Sequence, residues 1–446
     1  MTSMNPSVGL TQQDYENSET LAYADTDEDV TPGEIAVGVI IGRSSEYFDF
    51  FVFGIACVLV FPTLLFPYMS KLDGTLASFA IFSLAFVARP IGTALSMAVQ
   101  RRWGRATKLT LALLLLGVCT VGMTFLPSYG AAGMKAVWAL VVLRVGQGLA
   151  LGGSWDGLPS LLAMSAPKNK RGWYSMIGQL GAPLGFIIAA ALFAYLYASL
   201  SAEEFISWGW RFPFCVAFAI NVVALFARLR LVVGQSYTQL LQERELEPIS
   251  VTRLMSNEGR NVMIGAFAAL ASFALFHLVT VFPLSWISMY SDQSMSDVLV
   301  VQIIGAVLAA VAIMVSGWLA DRVGRRNTLG TMACLIGIFS FLAPWLLGSG
   351  TVGNNVFIIV GFVLLGLSYG QASGTVTSNF SPRYRYTGAA LSTDMAWLLG
   401  AAFAPLVALG VSAKFGLVAL GIYLLSGALC TLAALGINRA IEARDQ

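Results

Sequence analysis

Charge is scarce in this chain. Only 11% of its 446 residues are Asp, Glu, Lys or Arg, whereas 57% are apolar. Soluble globular chains carry roughly 25% charged and 45–50% apolar residues. The shortage excludes a soluble enzyme, a disordered scaffold and a nucleic-acid binder, and a net charge of +2 offers no basic excess to an acidic partner. Histidine is nearly missing as well. His277 stands alone; with no metal cluster, nucleophile–histidine pair or second histidine in the sequence, no enzymatic activity is expected. The five cysteines, Cys57, Cys119, Cys215, Cys334 and Cys430, sit singly in apolar segments. Without a CxxC or Cys/His spacing they suggest neither a metal site nor a disulfide framework; buried free thiols are expected. No cofactor is called for. A polytopic membrane protein remains.

Residues 1–34 are polar and acidic, and up to residue 42 there is neither Lys nor Arg. A secretory signal would begin with a basic stretch and an apolar core, so this segment is expected to be a disordered cytoplasmic tail. Beyond it, apolar runs able to cross about 30 Å of hydrocarbon recur at 36–66, 75–99, 107–127, 136–163, 173–199, 211–233, 261–288, 297–320, 328–347, 354–378, 386–411 and 415–438. A chain alone in lipid must satisfy its own backbone hydrogen bonds, so these twelve runs are expected to be helices. The short alternating strands of a membrane barrel are absent from the pattern. Nineteen Lys and Arg fall in the tail-side connections against four on the other side, Lys71, Lys135, Arg211 and Lys414. By the positive-inside rule both termini are cytoplasmic. The polar stretch 234–260 divides the chain into two six-helix bundles, 35–233 and 261–438, followed by a short cytoplasmic tail at 439–446.

Each half carries a related basic loop after its second span, about 220 residues apart: Arg101-Arg102-Trp103-Gly104-Arg105 and Gly317 through Arg326. Such duplication is the mark of a transporter built from repeats. The second loop reads Gly-x-x-x-Asp-Arg-x-Gly-Arg-Arg and resembles the loop signature of the major facilitator superfamily. Gly42-Arg43-Ser44-Ser45-Glu46-Tyr47-Phe48-Asp49-Phe50 is similar to the first-span signature of its metabolite:proton symporters, which include permeases for α-ketoglutarate, citrate, shikimate and proline/betaine. Arg89-Pro90-Ile91-Gly92, Arg144-Val145-Gly146-Gln147-Gly148 with Gly152-Gly153-Ser154-Trp155, Trp208 to Phe214 and Arg383 to Gly388 extend the resemblance over residues 36–438. The chain departs from the pattern at Arg43, at Met97 and Arg101 in the first loop, at Ser154, and at Asn379-Phe380, which marks an outlying member.

An ionisable group at a bilayer centre costs about 2.5–3.5 kcal/mol on insertion scales and is a functional suspect by default. Arg43, Glu46 and Asp49 fall on one 120° face of the first span at 100° per residue. From the helical rise, Asp49 and Arg144 come out nearly level in the bilayer. An Asp49–Arg144 pair is therefore expected, with Glu46 as a surplus acid near Arg43. Burial disfavours the charged form of an unpaired acid, so Glu46 and Asp49 with Arg144 are the expected proton-coupling set. Arg89, Arg144, Gln147 and Trp155 are the expected substrate contacts. Gly148 and Gly152 form a Gly-x-x-x-Gly packing face. Asp156 and Asp394 are expected near helix ends, and His277 as a packing residue. The resemblance implies cytoplasmic gate residues at Gly104, Arg105, Gly317, Asp321, Arg322, Gly324, Arg325 and Arg326, with the first-half lock weakened by Arg101.

The expected function is proton-coupled uptake of a small polar metabolite by alternating access, the carboxylate preference resting on the resemblance. A zwitterion fits the near-neutral tally of buried charges equally well. An exporter or antiporter of the same fold, or a non-transporting membrane receptor, are the alternatives. A monomer in the bacterial cytoplasmic membrane is expected.

Overall fold

The structure, a computed structural model, describes residues 32–154, 162, 166–233, 247–372 and 380–442. Trp155 and Asp156, most of the acidic tail and the last four residues lie outside them. Among the described residues the chain is helical, with no strand. Ten helices among the described residues are long and apolar enough to cross a membrane. One of them, Lys71–Thr124, has 54 residues, which at 1.5 Å each would reach about 80 Å and so holds two spans. It breaks at Gly104, whose φ of 85° a side chain would strain. The twelfth span is Pro32–Leu59, whose hydropathy is lowered by the three charges expected to line a site.

The spans are α1 (Pro32–Leu59), α2 (71–103), α3 (105–124), α4 (Met134–Gly153), α5 (Arg171–Ser199), α6 (Arg211–Val233), α7 (251–290), α8 (Met295–Val323), α9 (Arg325–Leu347), α10 (Gly350–Tyr369), α11 (Arg385–Phe415) and α12 (Val418–Glu442). Local chemistry sets several of the ends. Ser70 caps α2 by accepting from the Asp73 amide at 3.1 Å, and Ser250 caps α7 by accepting from the Arg253 amide at 3.3 Å. That cap starts α7 inside the stretch read above as linker. The turn between α8 and α9 repeats the one between α2 and α3, with Gly324 at φ 86°.

Two helices are interrupted deep in the bundle. α7 breaks at Ala269 and again at Val281, just before Pro283, which cannot donate to the preceding turn. α11 widens by one residue over Trp397–Ala401, where the Ala402 amide bonds the Trp397 carbonyl at 2.8 Å. Single wide turns of this kind concentrate at functional sites. The Ser83 hydroxyl of α2 donates to the Ala402 carbonyl at 2.7 Å, serving the interruption from the other half of the chain.

Contacts fall into two sets, α1–α6 and α7–α12, joined mainly by α5 against α8 and α2 against α11. Lipid tails supply no hydrophobic drive between helices, so small residues at the contact matter. A Cβ on Gly148 would overlap the Ala85 carbonyl and one on Gly152 the Arg89 carbonyl. The Gly-x-x-x-Gly of α4 is thus a packing seam against α2. Contacts between the sets are made at both ends. On the arginine-rich face Asp321 of α8 holds α5, and on the opposite face the Lys71 ammonium donates to the Ser288 carbonyl at 2.5 Å.

Candidate functional site

Asp49 lies at the centre of the first set, 2% exposed. Its carboxylate accepts from the Thr120 hydroxyl of α3 at 2.6 Å, the Gln147 amide of α4 at 3.0 Å and the Asn221 amide of α6 at 3.2 Å. Three helices thus converge on one acid, and every donor is neutral. Arg144, 1% exposed, donates to the Phe82 carbonyl at 3.2 Å and to the Gln147 amide oxygen at 3.0 Å. Its second terminal nitrogen, Nη2, is buried with no partner. The guanidinium rests against the rings of Phe53, Phe82 and Phe50, with Cζ at 4.0, 4.9 and 5.6 Å from their centroids.

The expected direct Asp49–Arg144 pair is therefore corrected. Gln147 stands between them, one helical turn beyond Arg144 on the same face, and links the two by its amide oxygen and nitrogen. Depth arithmetic placed the acid and base nearly level, but could not see that an intervening amide takes the shorter reach.

Glu46 is also corrected. It is not a surplus acid, because Arg43 meets one carboxylate oxygen at 2.9 Å and Arg228 the other at 2.7 Å. Arg228, buried near the end of α6, further donates to the Ser154 carbonyl at 2.5 Å. The sequence reading counted Arg228 only toward orientation and missed this role. Its setting in the apolar run Leu225-Phe226-Ala227-Arg228-Leu229 was the available signal.

Arg89 and Asp394, 305 residues apart in sequence, come together in the structure. Arg89 Nε meets Asp394 Oδ1 at 2.6 Å, and the Thr93 hydroxyl donates to the other oxygen. Asp394 is buried rather than near a helix end. This is the one ion pair between the two sets among the described residues. The Tyr47 and Tyr369 hydroxyls meet across the same seam.

The expected gate residues divide. Asp321 accepts from the backbone amides of Gly172 at 2.6 Å and Trp173 at 3.1 Å, in the first turn of α5. A carboxylate there meets both free donors and the positive end of the helix dipole. Arg325 donates to the Arg171 carbonyl at 3.0 Å and the Ser175 hydroxyl at 2.7 Å. Gly317 packs directly on Gly172 and Trp173. Arg326 instead reaches the Leu435 carbonyl of α12, and Arg322 lies over the Trp318 ring at 4.0 Å. Gly104 makes its turn, while Arg105 next to it is half-buried. Trp155 lies outside the described residues.

The middle of the molecule between the sets is aromatic. Phe50, Phe82, Phe86, Phe276 and Trp397 surround His277, with ring centroids 5.1 to 6.1 Å from the imidazole. His277 is fully buried and neither ring nitrogen has a partner. Two small cavities of about 20 Å³ each flank this cluster, one lined by Arg43, Glu46, Arg89 and Trp397 among others, the other by Phe51, Phe276 and Tyr369 among others.

Twelve spans in two sets around a buried, partly unsatisfied polar centre define a polytopic membrane transporter. The model of the Major Facilitator Superfamily matches residues 50–405. The chain is 35% identical over 438 residues to the inner membrane metabolite transport protein YhjE of Escherichia coli strain K12, covering 96% of this chain and 99% of that one. It is 30% identical over 409 residues to the shikimate transporter of the same organism, covering 88% and 91%. Among solved structures, the proton:xylose symporter XylE bound to 6-bromo-6-deoxy-D-glucose shares the fold with a TM-score of 0.68 at 18% identity, over 91% of this chain and 94% of that one. The chain belongs to the Major Facilitator Superfamily. It is a multi-pass membrane transporter of metabolites and not an enzyme.

Proposed function

We propose that the chain imports a small carboxylate together with protons, by alternating access between its two sets of six helices. The observation that carries this reading is the unpartnered Nη2 of Arg144, one glutamine away from Asp49, the only buried acid without a cationic partner among the described residues. A charged donor buried without an acceptor is costly, and a substrate carboxylate would supply that acceptor. The name of the shikimate transporter supports the class, since shikimate is a carboxylate.

Coupling follows from electrostatics. In the empty site the Arg144 charge stabilises ionised Asp49 through Gln147. A bound carboxylate neutralises that charge, the ionised form of Asp49 loses its support, and the acid takes up a proton. Proton and substrate then favour the same state, which is symport. Glu46, held by two arginines, keeps its charge throughout and serves as a fixed tie between α1 and α6. We place the arginine-rich face in the cytoplasm, with both termini, on the nineteen-to-four distribution of basic residues.

The test is external pH in lightly buffered, de-energised proteoliposomes on adding mono- and dicarboxylates, ring acids and betaines. Alkalinisation with one acid, lost in Asp49→Asn and retained in Glu46→Gln, is expected. Acidification would instead establish an antiporter, and uptake without proton movement a uniporter.

A further inference from the structure

His277 is the least satisfied polar side chain among the described residues: fully buried, on the interrupted helix α7, with both ring nitrogens unpartnered inside an aromatic cage. Packing alone does not call for an imidazole there, because a phenylalanine would fill the same space without two unsatisfied nitrogens. Its neighbour across the seam has the same defect. Phe50 and Phe82 lie against His277 at 5.1 and 5.2 Å and also against Arg144 at 5.6 and 4.9 Å. One half of the chain thus presents an open guanidinium nitrogen and the other an open imidazole, on the same two rings.

We infer that Arg144 and His277 are the two polar ends of one ligand site, and that it takes a monocarboxylate whose flat or cyclic body carries a hydroxyl. This rests on the carboxylate reading above and narrows it. A single carboxylate follows from the charges: Arg43, Arg89 and Arg228 already face Glu46 and Asp394, which leaves Arg144 as the arginine with an open donor in the centre. A ring follows from the walls. Phe50, Phe82, Phe86, Phe276 and Trp397 offer faces and edges on which a planar body stacks. A hydroxyl follows from the imidazole, which when neutral has one donor and one acceptor, as a hydroxyl does. A quaternary ammonium would suit the aromatic walls, but it would leave both nitrogens of His277 unsatisfied. Small voids border Phe50, Phe86 and Trp397 on one side and Phe276 on the other, so the ligand enters as the two halves part along these rings. With one ligand bridging α4 and α7, occupancy draws the two halves together.

The experiment measures binding by thermal shift and uptake in proteoliposomes with 4-hydroxybenzoate, benzoate, hexanoate, succinate and glycine betaine. 4-Hydroxybenzoate is expected to bind about tenfold more tightly than benzoate, and both more tightly than hexanoate or succinate. His277→Phe should erase the preference for the hydroxyl and leave benzoate binding within about threefold. His277→Gln, which keeps a donor and an acceptor, should restore part of the preference and guards against a folding defect in the first variant. An unchanged preference in His277→Phe overturns the inference. So does proton-coupled uptake that favours succinate or hexanoate, an outcome that leaves the carboxylate reading standing. Preference for glycine betaine, or no response to any acid, overturns both.

Discussion

The two turns at Gly104 and Gly324 are copies in backbone and opposites in side-chain chemistry. Both glycines sit at nearly the same positive φ, 85° and 86°, with no other heavy atom within 4 Å of where a Cβ would stand. Beside the second turn, Asp321 holds the first turn of α5 through two amides, and Arg325 adds a carbonyl and a hydroxyl. Beside the first, the matching acid is replaced by Arg101, which is exposed. The contact with α11 is made instead by Gln100, which accepts from the Tyr386 hydroxyl at 3.2 Å, and by Lys108, which donates to it at 3.3 Å. Deeper along the same seam, Arg89 and Asp394 carry the only ion pair between the sets among the described residues. One half is tied at the rim by a carboxylate on a helix end, and the other is tied in the interior. A duplicated scaffold therefore fixes where the seams run, and single side chains decide how firmly each is closed.

Substitutions can break this asymmetry in a definite order. Asp321→Ala should act most strongly, because it removes two charge-assisted bonds and leaves two amides at the start of α5 unsatisfied, a loss of about 2–4 kcal/mol in closure of that face. Alkylation of cysteines introduced along α5 and α8 should quicken by more than tenfold. Asp394→Asn should come next, since it strands the buried Arg89 charge; the seam between α2 and α11 should become labelled while α5 and α8 stay protected. Gly104→Ala and Gly324→Ala should each cost about 1–3 kcal/mol, because a positive φ with extended ψ is a region almost confined to glycine, with equal falls in thermal midpoint. Unequal falls would show that the two turns are not copies in energy. Tyr386→Phe is expected to be mildest, near 1 kcal/mol for two bonds of ordinary length. Arg101→Asp sharpens the comparison from the other direction: a restored acid should slow labelling between α2 and α11.

Much of the fold was legible in the sequence, for reasons special to lipid. Backbone groups in hydrocarbon must pair within their own segment, so apolar length alone locates helices, and nine of the twelve apolar runs coincide with the observed spans to within a turn or two. The fourth and tenth runs, expected to reach 163 and 378, continue into residues outside those described. The start of α7 was missed because Val251 to Arg260 is polar on one side, and only the cap at Ser250 marks it as helix.

The charged centre was legible in composition and misread in pairing. Arg43, Glu46, Asp49, Arg89, Arg144 and Asp394 are all buried or nearly so, as a bilayer demands of charges in its interior. Which base meets which acid depends on how six helices are rotated about their axes, and no helical wheel of a single segment contains that. Hence Glu46 went to Arg228, five helices away in sequence, and Gln147 came between Asp49 and Arg144. His277 was read as packing because a lone histidine on an apolar helix gives no sign that its nitrogens will lack partners. That fact belongs to the assembled cage.

The central claim is that Asp49, and not Glu46, carries the coupled proton. It is tested most directly by measuring, in proteoliposomes with a transported acid, both accumulation driven by an inward proton gradient and exchange at equal pH. Asp49→Asn should abolish accumulation and retain exchange, while Glu46→Gln should still accumulate, though less well because α1 and α6 are loosened. Accumulation that survives in Asp49→Asn, or that vanishes in Glu46→Gln with exchange intact, would contradict the account.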